Sequence, residues 1–264
     1  MPYANVNGIH LHYRVDGAQR ADAPWLVLSN SLGADLSMWA AQVEAFSKHF
    51  NLLRYDTRGH GQSGAPKGPY TIEQLTGDVL GLLDTLKIER ANFCGISMGG
   101  LTGIALAARH PERLNRVVLS NTAARIGSPE IWVPRAKRSR EEGMRALADA
   151  VLPRWFSAKF IEGEPLVFAA IRDVFVHTDN EGYASNCEAI DAADLRGELA
   201  GIKVPSLVIT GTHDVSTTAE QGRALASGIP GARYAELDAF HISNIERAGE
   251  FTQTVLDFLT TEPQ

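Results

Sequence analysis

Cysteine is scarce in this sequence, at two residues in 264, and two thiols cannot build a disulfide framework. Cys94 and Cys187 also lack metal-ligand spacing, so both read as buried thiols and no metal site is expected. Long apolar runs are missing too. No stretch approaches the roughly 18 apolar residues of a membrane-spanning helix, and the opening MPYANVNGIHLHYRV carries neither a basic leader nor the apolar core of a secretory signal. A cytoplasmic location without membrane association is the expectation. Positive charge is in short supply: 25 Lys and Arg against 31 Asp and Glu give a net charge of −6. That balance argues against a phosphate-neutralising surface, and hence against nucleic acid as a partner. Neither a P-loop nor a complete dinucleotide fingerprint occurs, so no nucleotide cofactor is expected. Internal repeats and low-complexity tracts are absent as well.

What is present is a rhythm. Short apolar runs alternate with helical patterns over the first 120 residues or so, as in a mostly parallel sheet covered by helices on both faces. Strands are expected at IHLHYRV (9–15), WLVLSN (25–30), NLLRYD (51–56), ANFCGI (91–96) and RVVLSN (116–121). Between them fall helices near 36–47, at 71–86 with Thr71 and Gln74 placed as a capping box, and after Ser97. From about 123 to 196 the pattern turns helical and bulky, which predicts an inserted helical cap. Strands return at 205–211 and 232–237, with helices near 218–228 and 245–260. The expected architecture is therefore a core from 1–122 and 197–264 with a cap at 123–196.

Gly95-Ile96-Ser97-Met98-Gly99 is short enough to arise by chance, but here a strand runs into it and a helix leaves it. That context makes it a nucleophile elbow. A serine hydroxyl needs a histidine to take its proton and an acid to orient the histidine. Of eight histidines, His241 is best placed, after a late strand and before a helix. Asp214, just beyond the strand ending in VITG, is the favoured acid. Asp238 is its rival, but lies only three residues before His241. Oxyanion donors are expected from the N–H of Met98, at the start of a helix, and from that of Leu32, after WLVLSN. The run YDTRGHGQSG (55–64), with Asp56, Arg58 and His60, reads as a structural turn in which Asp56 and Arg58 satisfy backbone groups or one another.

Taken together, LLRYDTRGHGQS, GISMGG, GTHD and HISNIE resemble the α/β-hydrolase superfamily along the whole chain. SNSLG, YDTRGHG, GISMGGL, CEAIDAADLR and HISNIERA are more specifically similar to the 3-oxoadipate enol-lactonases. One departure is Ala248, where relatives often carry proline. The resemblance implies an α/β-hydrolase fold with an eight-stranded, mostly parallel sheet. It also implies Ser97 as nucleophile, His241 as base and then acid, Asp214 as its orienter, and Leu32 and Met98 as oxyanion donors. The implied reaction opens an enol-lactone to 3-oxoadipate in aromatic degradation, with no cofactor. A serine at the elbow argues against the dehalogenases and epoxide hydrolases, which use aspartate there. Other cap-gated serine hydrolases (a carboxylesterase, a carbon–carbon bond hydrolase, a cofactor-free perhydrolase) and a low-turnover ligand-binding relative are the alternatives.

A small anionic lactone entering a protein of net charge −6 needs a local cation. Arg135, one helical turn from Trp132, is the expected substrate-binding partner in the cap. Arg125 and Arg138 are the alternatives.

Overall fold

The structure is a computed structural model and describes residues 2–17 and 22–261. Eight strands among these form one sheet: β1 (Tyr3–Val6), β2 (Ile9–Asp16), β3 (Trp25–Ser29), β4 (Asn51–Tyr55), β5 (Ala91–Ile96), β6 (Leu114–Ser120), β7 (Ser206–Gly211) and β8 (Arg233–Leu237). Their spatial order is β1-β2-β4-β3-β5-β6-β7-β8. The pairings of β2 with β1 and with β4 are antiparallel, and all the others are parallel. Strands β3, β5 and β7 are buried along nearly their whole length, which is why they read as apolar runs rather than alternating ones. β1, four residues long, was not anticipated, because so short a segment carries too little alternation to stand out.

The helices of the core are α1 (Ala40–Ser47), α2 (Ile72–Thr85), α3 (Met98–Arg109), α9 (Ala219–Gly228), α10 (Ser243–Glu246) and α11 (Ala248–Thr260). Between β6 and β7 the chain forms α4 (Pro129–Glu142), α5 (Met144–Val151), α6 (Ala158–Gly163), α7 (Pro165–His177) and α8 (Asn180–Ala192). The expected capping box on α2 is present, with Thr71 and Gln74 each accepting the other's backbone N–H.

Two helices depart from expectation. The one expected from 36 starts as a 3-10 turn, Leu36–Trp39, capped by Asp35. The last one is broken at Arg247, which leaves helical dihedrals (φ −124°, ψ 49°) while its guanidinium donates to the Asp238 carbonyl and carboxylate.

The chain runs from β3 outward to β4 and then crosses back to β5 on the other side of β3. The carboxyl ends of β3 and β5 thus flank a switch point, where loops diverge and leave a crevice. Residues 30–33 and Ser97 sit there.

Candidate active site

Ser97 follows β5 directly and takes φ 56°, ψ −113°, a left-handed conformation that costs a non-glycine residue about 1–3 kcal/mol. Neighbours on both sides make the turn possible. A β-carbon on Gly95 would lie 2.2 Å from the Gly99 carbonyl oxygen, and one on Gly99 would lie 2.3 Å from that of Ser29. The turn is pinned by Ser97 N–H to the Ser120 carbonyl (3.0 Å) and by Thr122 Oγ1 to the Ser97 carbonyl (2.8 Å). Among the described residues, nothing hydrogen-bonds to the Ser97 hydroxyl.

Asp214 and His241 meet as a buried pair, His241 Nδ1 to Asp214 Oδ2 at 2.7 Å. Oδ1 also accepts from the N–H groups of Ser216 (2.7 Å) and Thr217 (3.0 Å), and Oδ2 from Thr217 Oγ1 (2.8 Å) and Asn121 Nδ2 (3.1 Å). Burial by itself would raise the carboxyl's pKa. The facing imidazole and these donors outweigh it and hold Asp214 at about 2. An ionised carboxylate only accepts, so Nδ1 carries the hydrogen shared with Asp214, and in the neutral imidazole Nε2 is the atom with the lone pair. No hydrogen bond joins Nε2 to Ser97 in this structure, a looseness common before substrate binds. Asp238 stands elsewhere, exposed and paired with His213 and Arg247.

Asn121 ties the two halves together and was not singled out in the sequence. It follows β6 at φ 44°, donates to Asp214 and to the Phe240 carbonyl (3.2 Å), and accepts from Ser243 Oγ (2.6 Å). An asparagine closing a buried strand was the available signal, since this residue type tolerates positive φ.

The N–H groups of Leu32 and Met98 are both uncommitted among the described residues. Their neighbours are not: Gly33 N–H donates to His60 Nε2 (2.8 Å), Gly99 N–H to the Asn30 carbonyl (3.1 Å) and Leu36 N–H to Asp56 Oδ1 (2.8 Å). His60 is fully buried, and burial depresses its pKa to about 4, so it is a neutral acceptor. Asp56 therefore satisfies backbone groups as expected, whereas Arg58 pairs with Asp78 (2.6 Å) rather than with Asp56.

Trp132 and Arg135 share one face of α4, with the guanidinium 5.2 Å from the indole centroid. The indole is buried and donates to the Ile126 carbonyl (2.6 Å). Arg135 Nε donates to Tyr183 Oη (2.7 Å), and Tyr183 packs where a side chain on Gly33 would go, 3.2 Å from its hypothetical β-carbon. Arg135 has no carboxylate partner among the described residues. The alternatives are engaged, Arg125 with Asp191 (3.5 Å) and Arg138 with Glu142 (2.9 Å).

The described residues contain no group of three or more His, Cys, Asp or Glu able to hold a metal ion, and no helix long and apolar enough to cross a membrane.

A serine on a strained strand-to-helix turn at the switch point of a largely parallel sheet is the arrangement of an α/β hydrolase. A family model described as the alpha/beta hydrolase fold matches residues 24–161, and the chain belongs to that family. Within it, the chain is 45% identical over 247 residues to 3-oxoadipate enol-lactonase 2 of Acinetobacter baylyi, covering 94% of this chain and 92% of that one. 3-Oxoadipate enol-lactonase 1 of the same organism is 38% identical, covering 97% and 95%. The crystal structure of the enol-lactonase from Burkholderia xenovorans superposes with a TM-score of 0.98 at 75% identity, covering 98% of this chain and all of that one.

Proposed function

We propose that the protein is a serine hydrolase that opens the enol-lactone of 3-oxoadipate. The observation that carries the chemistry is the buried Asp214–His241 contact of 2.7 Å, tied through Asn121 and Thr122 to the strained turn bearing Ser97. The similarity to 3-oxoadipate enol-lactonases, with near-complete coverage, carries the substrate.

In this reading Ser97 Oγ attacks the lactone carbonyl and its proton passes to His241 Nε2. The N–H groups of Leu32 and Met98 receive the oxyanion, each donor worth about 2.7–4 kcal/mol. Asp214, already ionised, stabilises the imidazolium without taking the proton. As the ring C–O bond breaks, His241 gives that proton to the departing enolate oxygen, leaving an acyl-enzyme whose enol stays tethered to the acyl group, and ketonisation makes that step hard to reverse. His241 then activates water, which releases 3-oxoadipate. The acyl transfer uses these side chains, the two backbone N–H groups and water.

Helices α4 to α8 act as the cap, and Arg135 with Trp132 recognises the substrate carboxylate. A half-buried guanidinium without an anionic partner among the described residues supports that role, since its hydrogen bond to Tyr183 fixes it while leaving the two terminal nitrogens to form a fork for a carboxylate. A cytoplasmic setting suits an intracellular degradative step of this kind.

Purified protein should hydrolyse the enol-lactone, and Ser97→Ala should lose about 10⁴- to 10⁶-fold in kcat; substantial turnover by the variant would remove Ser97 as nucleophile. Arg135→Ala should raise KM for the anionic lactone about 10- to 100-fold, the worth of a charged hydrogen bond, and leave a neutral aryl ester nearly unaffected. Equal effects on both substrates would remove Arg135 from carboxylate recognition.

A further inference from the structure

Beside the candidate active site lies a cavity of about 530 Å³ whose chemistry does not match a small anion. One wall is α7, which presents Leu166, Ala170, Ile171 and Val174 along one face. The opposite wall includes Ala40 and Ala41 of α1. Gly33 and Ile242, the chain neighbours of Leu32 and His241, also line it, which sets the groove next to the segments that carry the proposed oxyanion donor and base. Among the described residues that line it, Asp35 is the only ionisable one and no cation accompanies it, which disfavours an anionic occupant. Four alanines, Ala34, Ala40, Ala41 and Ala170, line the groove, and none is bulky enough to block it. From Val174 to Leu166 the helix rises about 12 Å, a span suited to an extended chain rather than a compact ring. Leu166 is 85% exposed at the outer end, an apolar side chain left in water unless something covers it.

We propose that this groove binds the unbranched acyl chain of a neutral ester and gives the protein a second activity, as a medium-chain carboxylesterase. The inference rests on the serine-hydrolase reading of Ser97, Asp214 and His241 but not on the lactone. Ser97 Oγ bonds to the acyl carbonyl carbon as its proton moves to His241. The bond to the ester oxygen breaks and the departing alcohol takes that proton. Water then attacks the acyl-enzyme by the same route, releasing the carboxylic acid and restoring Ser97.

The test is kcat/KM for p-nitrophenyl acetate, butanoate, hexanoate and octanoate. Each methylene moved from water to an apolar wall should raise it about two- to fourfold. Ala170→Trp and Ala41→Trp fill the groove from opposite walls at exposed positions. Each should cut the octanoate-to-acetate ratio by roughly tenfold or more, with acetate and enol-lactone turnover retained. A flat or falling chain series in the wild type overturns the proposal, as does a ratio unchanged in both variants. A rising series without enol-lactone turnover removes the lactone and leaves the groove standing. Octanoate hydrolysis that survives Ser97→Ala overturns both.

Discussion

Among the described residues, two histidine–aspartate pairs lie buried with the same Nδ1-to-carboxylate distance of 2.7 Å: His241 with Asp214, and His12 with Asp56. Distance and burial do not distinguish them. Their surroundings do. Five hydrogen bonds converge on Asp214, and its pKa falls to about 2 despite burial. At Asp56 burial prevails over the donors Gln62, His12 and Leu36, and the carboxyl is pushed up. The nearby hydroxyls differ in the same sense. Ser97 Oγ is uncommitted among the described residues. Ser63 Oγ, beside His12, donates to the Asp56 carbonyl (2.6 Å) and accepts the His12 N–H (2.9 Å). A dyad can serve nucleophilic catalysis only next to a free hydroxyl and uncommitted amides. The second pair instead braces the 31–36 loop, through Asp56 to Leu36 N–H and, from the same turn, His60 to Gly33 N–H.

The sharpest way to break this comparison is to make the same substitution in both pairs. Asp214→Asn should lower kcat about 10⁴-fold, because the amide can no longer hold the productive tautomer of His241, while thermal stability changes little by comparison. Asp56→Asn should do the reverse. Its amide would turn a donor toward groups that themselves donate, lowering unfolding free energy by about 3 kcal/mol, with kcat reduced far less than in Asp214→Asn. Steady-state kinetics and denaturant unfolding of the two variants decide it, and an Asp56→Asn enzyme that is stable but inactive would invert the roles.

The part of this comparison that was legible in sequence is the part written in local pattern. Ser97 was readable because the strand ANFCGI, the flanking glycines and the following helix are contiguous. Asp214 and His241 were readable as residues just past late strands, and the elbow context supplied the chain order. The sheet was legible for a related reason, since its buried strands leave apolar runs. Asn121 and the pairing of His12 with Asp56 were not legible. Each depends on which strand ends lie side by side, and the partners of His12 and Asn121 are dozens of residues away in the chain. Arg58 was misassigned for the same cause: Asp78, on α2, is a nearer electrostatic partner in space than Asp56. The groove along α7 was equally hidden, because Leu166 and Val174 read as ordinary helix positions until Ala40 and Ala41 are seen across from them.

The smallest expected effect separates the two regions by pH. His60 is held neutral with a pKa of about 4 against an ordinary value of 6.5, so below pH 6.5 the unfolded chain binds a proton that the folded chain refuses. Its contribution is complete above pH 6.5 and declines as pH falls toward 4, by about 2 kcal/mol between pH 7.5 and 5. Asp214 has the opposite charge logic and a lower window: its stabilisation is present above 3.8 and is lost only as pH falls toward 2. The brace should therefore weaken before the Asp214–His241 pair does. In His60→Gln the amide oxygen can accept the Gly33 N–H without titrating, so unfolding free energy measured from pH 7.5 to 5 should lose about 2 kcal/mol less than in the wild type. Parallel curves for the two proteins would show that His60 does not carry this pH dependence, and the loop at Gly33 would need another explanation for its stability.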